Sequence, residues 1–170
     1  MPNYIRPVQN GACVFLTVTL ADRRSQLLLH EVEALRDAIR QTQRNWPFKV
    51  NAFVVLPNHF HAVITLPAED AAYSTRVRVI KSRFSRKFAR QNLRQSHIKR
   101  SERGIWQRRF WEHHIRGPDD YAAHVRYCWN NPVKHGLVER PSDWPYSSIH
   151  RDTQRGLVPP EWTDQFARTP

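Results

Sequence analysis

Long apolar runs are missing from this 170-residue chain, and none approaches the roughly 18 consecutive apolar residues that a membrane-spanning helix needs. The N-terminus, MPNYIRPVQNG, lacks the apolar stretch of a secretory signal. Cysteine is scarce as well. Cys13 and Cys128 are too few for a disulfide framework and lack the paired spacing of a zinc ribbon. No internal repeat is visible. These absences lead us to expect a soluble, reduced, cytoplasmic protein. Hydrophobic residues make up 40% of the chain, which supplies a real core and excludes a disordered basic tail. The length suits one ordinary domain with some extra segments.

Acidic residues are missing from one region in particular. Between Arg76 and Arg116 there are 14 Lys and Arg against two acids, Glu102 and Glu112, which equals the whole chain's net charge of +12. Elsewhere basic and acidic residues cancel. A concentrated positive field favours a polyanion, because each neutralised phosphate releases a condensed counterion. A merely solubilising face is the plainer alternative. The composition favours nucleic acid.

Apolar and β-branched residues predict strands at 13–20 (CVFLTVTL), 48–56 and 59–66, the last two forming a hairpin around Pro57 and Asn58. Leu28, Val32, Leu35 and Ile39 recur at helical spacing, which predicts a helix from Ser25, as N-cap, to about Asn45. Val77, Ile80, Phe84 and Phe88, with Arg and Lys between them, predict an amphipathic basic helix over 76–94. A flexible basic loop over 94–104 and a fourth strand over 105–115 follow. Pro118, Asp119 and Asp120 start a last helix, which should end near Asn130 because Pro132 disfavours helical geometry at Asn131. The order predicts an α+β fold, a largely antiparallel sheet covered by helices. Residues 1–140 form the domain and 141–170 an irregular tail.

Two small constellations carry chemistry. On a strand His59 and His61 project from the same face, with Phe60 turned the other way. Such a pair can ligate a metal, or can be polar surface or satisfied core. On the last helix Asn131 lies one turn beyond Tyr127 and about 40° further round, and His124 shares that edge. A tyrosine nucleophile needs its oxygen held against a phosphate whose charge is being neutralised. The alternative is a Tyr127 that only packs. Tyr121 sits about 120° round the axis from Tyr127 and cannot share its face with Asn131.

The blocks PNHFHAV, WQRRFWEHHIR, YCWNNPVKHGLV and DWPYSS, in that order and spacing, resemble the single-tyrosine HUH transposases of bacterial insertion sequences. The likeness is strongest to their REP-associated branch, which acts on palindromic chromosomal repeats, and it covers about Tyr4 to Ser148. The resemblance implies a ferredoxin-like HUH nuclease fold and a divalent cation, Mg²⁺ or Mn²⁺. It implies metal ligands at His59, His61 and Asn131 and a nucleophile at Tyr127. It implies single-stranded or hairpin DNA as partner, association with the nucleoid, and no membrane, while monomer and homodimer both stay open. DNA contacts are then expected from Arg76, Arg78, Lys81, Arg83, Arg86, Lys87 and Arg90 on the basic helix. Further contacts are expected from Lys99, Arg100 and Arg103 in the loop and from Trp106, Arg108 and Arg109 beyond it. Trp106, Phe110 and Trp111 are candidates for base stacking.

Two rivals remain to be weighed. The two-histidine phosphoesterases need His-x-Ser or His-x-Thr twice, and none of the nine histidines has Ser or Thr two residues on. A domesticated binder without catalysis would be marked by loss of His59, His61, Tyr127 or Asn131, and all four are present.

Overall fold

A computed structural model describes residues 8–88 and 103–158. Four strands, β1 (Cys13–Thr19), β2 (Lys49–Val55), β3 (His59–Thr65) and β4 (Trp111–His114), form one antiparallel sheet in the order β2-β3-β1-β4. Helices α1 (Leu27–His30), α2 (Val32–Asn45), α3 (Tyr73–Ser85), α4 (Pro118–Lys134) and α5 (Ile149–Gln154) surround it. The α+β expectation is met.

Strand periodicity divides the protein into two cores. Val14, Leu16, Val18, Phe60, Ala62 and Ile64 point to one face, where Leu28, Leu35, Ala38, Val77, Ile80 and Phe84 from α1, α2 and α3 cover them. Phe15, Ala52, Val54 and Val63 point to the other, against Val125, Cys128 and Trp129 of α4. A bulge at Asn51 keeps β2 in step, since Val50 pairs with Ile64 and Ala52 with Val63. The extra residue moves Ala52 and Val54 to the α4 face. A purely alternating reading of the sequence cannot find that shift.

The basic helix is shorter than expected and lies on the far side of the sheet from His59 and His61. Its stripe Val77, Ile80 and Phe84 must bury on the Phe60 face, and alternation along β3 sends the two histidines the other way. Arg76 is fully buried, and it donates to both oxygens of Asp70 and to the carbonyls of Pro47 and Ala72. It is a structural brace and not a phosphate contact. Its guanidinium holds the Asp70 carboxyl below the usual carboxylate range. Trp106 is also core, packed edge-on to Phe60 and Phe84, which removes it as a base-stacking surface. Arg76→Ala should lower unfolding free energy by about 3 kcal/mol, because it removes a fully buried side chain together with its charge-assisted hydrogen bonds to Asp70 and the Pro47 carbonyl. Chemical denaturation checks this, and DNA affinity per folded molecule should be unchanged.

The helix bearing Tyr127 continues past its expected end, through Pro132 to Lys134. A proline there sacrifices one helical hydrogen bond. Burial of Cys128, Trp129, Asn131 and Pro132 under the same helix outweighs that loss. Its start follows the sequence signals: Gly117 adopts φ 146°, a conformation open to glycine, and Pro118 takes the first helical position.

Residues 141–158 are built into the domain, contrary to the irregular tail expected after residue 140. Strand β2 is an edge whose backbone groups need partners. Val55 N–H donates to the Tyr146 carbonyl at 2.9 Å and Ser148 N–H to the Phe53 carbonyl at 2.7 Å. Trp144 is buried and donates its indole N–H to the Val55 carbonyl at 2.8 Å. The Trp129 indole donates to Asp152 of α5.

Candidate active site

Across the α4 face of the sheet, register sets Val54, His61, Thr17 and Trp111 in one row, with His59 opposite Thr19. His59 and His61 have ring centroids 4.9 Å apart. The Thr17 hydroxyl lies 2.9 Å from Nδ1 of His61, and Nδ1 of His59 lies 2.6 Å from Oδ1 of Asn58. A carboxamide oxygen only accepts, so His59 Nδ1 carries the proton and Nε2 keeps its lone pair. When Thr17 Oγ1 accepts from His61 Nδ1, the same tautomer results there. Each ring then presents a free Nε2 with its other nitrogen anchored, as metal-ligating histidines require.

Burial disfavours the charged form of both rings. It lowers His59 to about 4, helped by the nearby His135. It lowers His61 to about 3, helped by His59 and then His135. Both are therefore neutral ligand donors at physiological pH.

Asn131 is fully buried on α4. Its carboxamide comes close enough to His61 to oppose that downward shift. Even so, Asn131 Oδ1, Asn131 Nδ2 and His61 Nε2 are all buried with no hydrogen-bond partner. Unpaired buried polar atoms are costly and rare. A lone-pair nitrogen and a carboxamide oxygen unpaired beside each other suit a shared cation, so these residues fit the divalent metal expected from the sequence.

One turn before Asn131, Tyr127 packs edge-on to His61 at 5.2 Å and to Phe15 at 5.6 Å between centroids. It stays 37% exposed, which leaves it open to a macromolecular substrate. The Lys134 ammonium lies 4.9 Å from the Tyr127 ring centroid, and the His135 ring lies 5.2 Å from that of His59. Neither was expected from sequence. Lys134 is seven residues from Tyr127, almost two full turns on the same face, so its spacing was a readable signal. Phe15 and Thr17 depend on strand register, which has no local signal.

The expected DNA contacts divide. Arg78, Arg86, Lys87, Arg108 and Arg109 are exposed. The Lys81 ammonium donates to the carbonyls of Gln107 and Arg108, Arg83 to Gln41, and Arg103 to the Phe88 carbonyl, while Lys87 pairs with Asp37. Arg90, Lys99 and Arg100 lie outside the described residues, as does most of the 94–104 loop. Among the three aromatic candidates Trp111 is the exposed one, at 56%.

Comparison with known proteins agrees with this architecture. The family described as "Transposase IS200 like" matches residues 11–128. A REP-associated tyrosine transposase of Escherichia coli (strain K12) is 46% identical over 95% of this chain and 91% of its own length. A relative from Haemophilus influenzae, named for the same REP-associated group, is 41% identical over 95% of this chain and 93% of its own. A solved structure of a REP-associated tyrosine transposase bound to a REP hairpin superposes with a TM-score of 0.82 at 46% identity, covering 95% of this chain and 91% of that one. Among the described residues no helix is long and apolar enough to cross a membrane. With this fold, this pair of strand histidines and relatives matched along nearly their whole length, the chain belongs to the IS200-like transposase family, in its REP-associated tyrosine transposase branch.

Proposed function

We propose that Tyr127 is the nucleophile of a DNA strand-cleaving and strand-joining reaction on single-stranded or hairpin DNA of the REP type. His59, His61 and Asn131 are its ligands for a divalent cation, Mg²⁺ or Mn²⁺. The observation that carries this reading is the trio of buried unpaired atoms on His61 and Asn131, one helical turn from a half-exposed tyrosine. When bound, the cation withdraws charge from a phosphate oxygen and stabilises the charge that develops there.

The chain's own residues supply the rest. The Tyr127 phenol gives up its proton and its oxygen bonds to phosphorus. The bond from phosphorus to the 3′-oxygen breaks, and that oxygen leaves as a protonated 3′-hydroxyl. The 5′ end stays on the protein as a phosphotyrosine, so rejoining reverses the chemistry without a nucleotide cofactor. Phe15, stacked on His61 at 5.4 Å and edge-on to Tyr127, fixes the two rings relative to each other. Lys134 adds positive charge beside the phenol, where a phenolate and a phosphate would both be stabilised. Such an enzyme works on the chromosome, in the cytoplasm and at the nucleoid.

Trp111 is the stacking residue this reading favours. It stands two strands from His61 in the same row, or roughly 10 Å at normal strand spacing. A base next to the scissile phosphate spans that distance. Trp111→Ala should weaken single-strand binding by about 1–3 kcal/mol, measured by fluorescence anisotropy with labelled hairpin.

Incubation with REP-type hairpin DNA and Mn²⁺ tests the assignment as a whole. The expected result is cleavage of the unpaired strand, none of perfect duplex, and binding that weakens steeply with salt. Cutting of blunt duplex, or undiminished cutting in excess chelator, would overturn it.

A further inference from the structure

A second group of ligating side chains lies on the same face, two strands from His61, and the chemistry above leaves it unused. His113 on β4 and Asp120 and His124 on α4 place one ligand atom each within 4.8 Å of one another. Nε2 of His113 lies 2.8 Å from Asp120 Oδ2, and Nδ1 of His124 lies 3.0 Å from Asp120 Oδ1. His124 Nδ1 is also 2.8 Å from the Asp120 carbonyl. The two imidazoles stack with centroids 4.6 Å apart and planes 14° from parallel. The backbone N–H of Arg116 donates to Asp120 Oδ2 at 2.8 Å and so orients the carboxylate from outside. All three side chains are partly exposed, which gives an ion a way in.

We infer that His113, Asp120 and His124 form a second metal site, separate from the His59, His61 and Asn131 set and selective for a borderline transition ion of the zinc class. Two imidazole nitrogens and one carboxylate oxygen are the donor set such ions prefer, whereas Mg²⁺ takes oxygen-rich, hydrated sites. Two of the ligands are four residues apart on one helix, and the third is on a strand held by the sheet. Without metal, each imidazole donates its proton to Asp120. Metal binding takes the lone pairs of these nitrogens, with the ring proton on the other nitrogen of each imidazole, and the Asp120 carboxylate supplies the negative charge. The ion then ties the end of β4 to the first turns of α4, the helix that carries Tyr127.

Zinc titration of the full chain by calorimetry, alongside visible absorption with Co²⁺, tests this in three proteins. In the His59→Ala/His61→Ala variant, which lacks the first site, one equivalent of Zn²⁺ should still bind. Adding His113→Gln and His124→Gln to that variant should weaken binding by more than about 100-fold and remove the Co²⁺ spectrum. Glutamine keeps a donor towards Asp120, and circular dichroism and the melting temperature identify any variant that fails to fold. For such a case Asp120→Asn in the His59→Ala/His61→Ala background, which keeps one acceptor oxygen for the Arg116 N–H but removes the charge and the second acceptor, serves as the second probe and should also weaken binding. With His59 and His61 already replaced by alanine, unchanged Zn²⁺ affinity after folded His113→Gln/His124→Gln or Asp120→Asn substitution would overturn the site. So would absence of zinc binding in the His59→Ala/His61→Ala protein.

Discussion

Alanine at His61 is expected to reduce strand cleavage by about 1,000-fold or more, the scale of losing charge stabilisation at a developing oxyanion. The ring is 96% withdrawn from solvent by its neighbours, being only 4% exposed. Its Nε2 has no partner, so truncation removes an uncompensated buried nitrogen along with some packing. Folding should therefore suffer much less than activity. Excess chelator on unmodified protein should produce the same loss, and a divalent ion should restore it in unmodified protein but not in the variant. Thr17→Val is the graded companion. It keeps shape while removing the hydroxyl that anchors Nδ1, and should cost about 10–100-fold. Gel assays of hairpin cleavage at several Mn²⁺ concentrations separate these effects.

The same burial gives a pH signature in stability. Folded His59 and His61 titrate near 4 and 3, while in the unfolded chain both titrate near 6.5. Between those values the unfolded state binds more protons, so stability falls as pH drops from 6.5 towards 3. His61→Ala should flatten that slope.

Much of this site was readable along the chain, because its parts lie close together in sequence. Alternation put His59 and His61 on one face without knowledge of the neighbouring strands, and one helical turn linked Tyr127 to Asn131. What was missed depends on contacts between distant segments. Thr17 and Phe15 reach His61 only through the β1–β3 register. Arg76 reads as one basic residue among many until Asp70 and the Pro47 carbonyl surround it. The amphipathic stripe of the basic helix is legible in its spacing, but its side of the sheet is set by Phe60. Pro132 signals a helix end by local propensity, which tertiary burial overrides. The 141–158 segment looked irregular because its order comes from pairing with the β2 edge.

The central claim is that one tyrosine makes a covalent bond to DNA. Among the described residues two tyrosines are exposed, Tyr127 and Tyr121, both at 37%. Tyr73 is buried in the helix-side core and Tyr146 is held against β2. Tyr121 is influenced by burial first and then by Cys13, Asp152 and Arg151, away from the histidines. The most direct measurement is denaturing electrophoresis of protein incubated with hairpin DNA labelled on the 3′ side of the cut. Unmodified protein and Tyr121→Phe should each give a labelled, denaturation-resistant adduct, with the label joined through its 5′-phosphate. Tyr127→Phe keeps the ring and its contacts with His61 and Phe15, so it should bind the hairpin normally and give no adduct. An adduct formed by Tyr127→Phe, or cleavage by unmodified protein with no covalent species, would contradict the account.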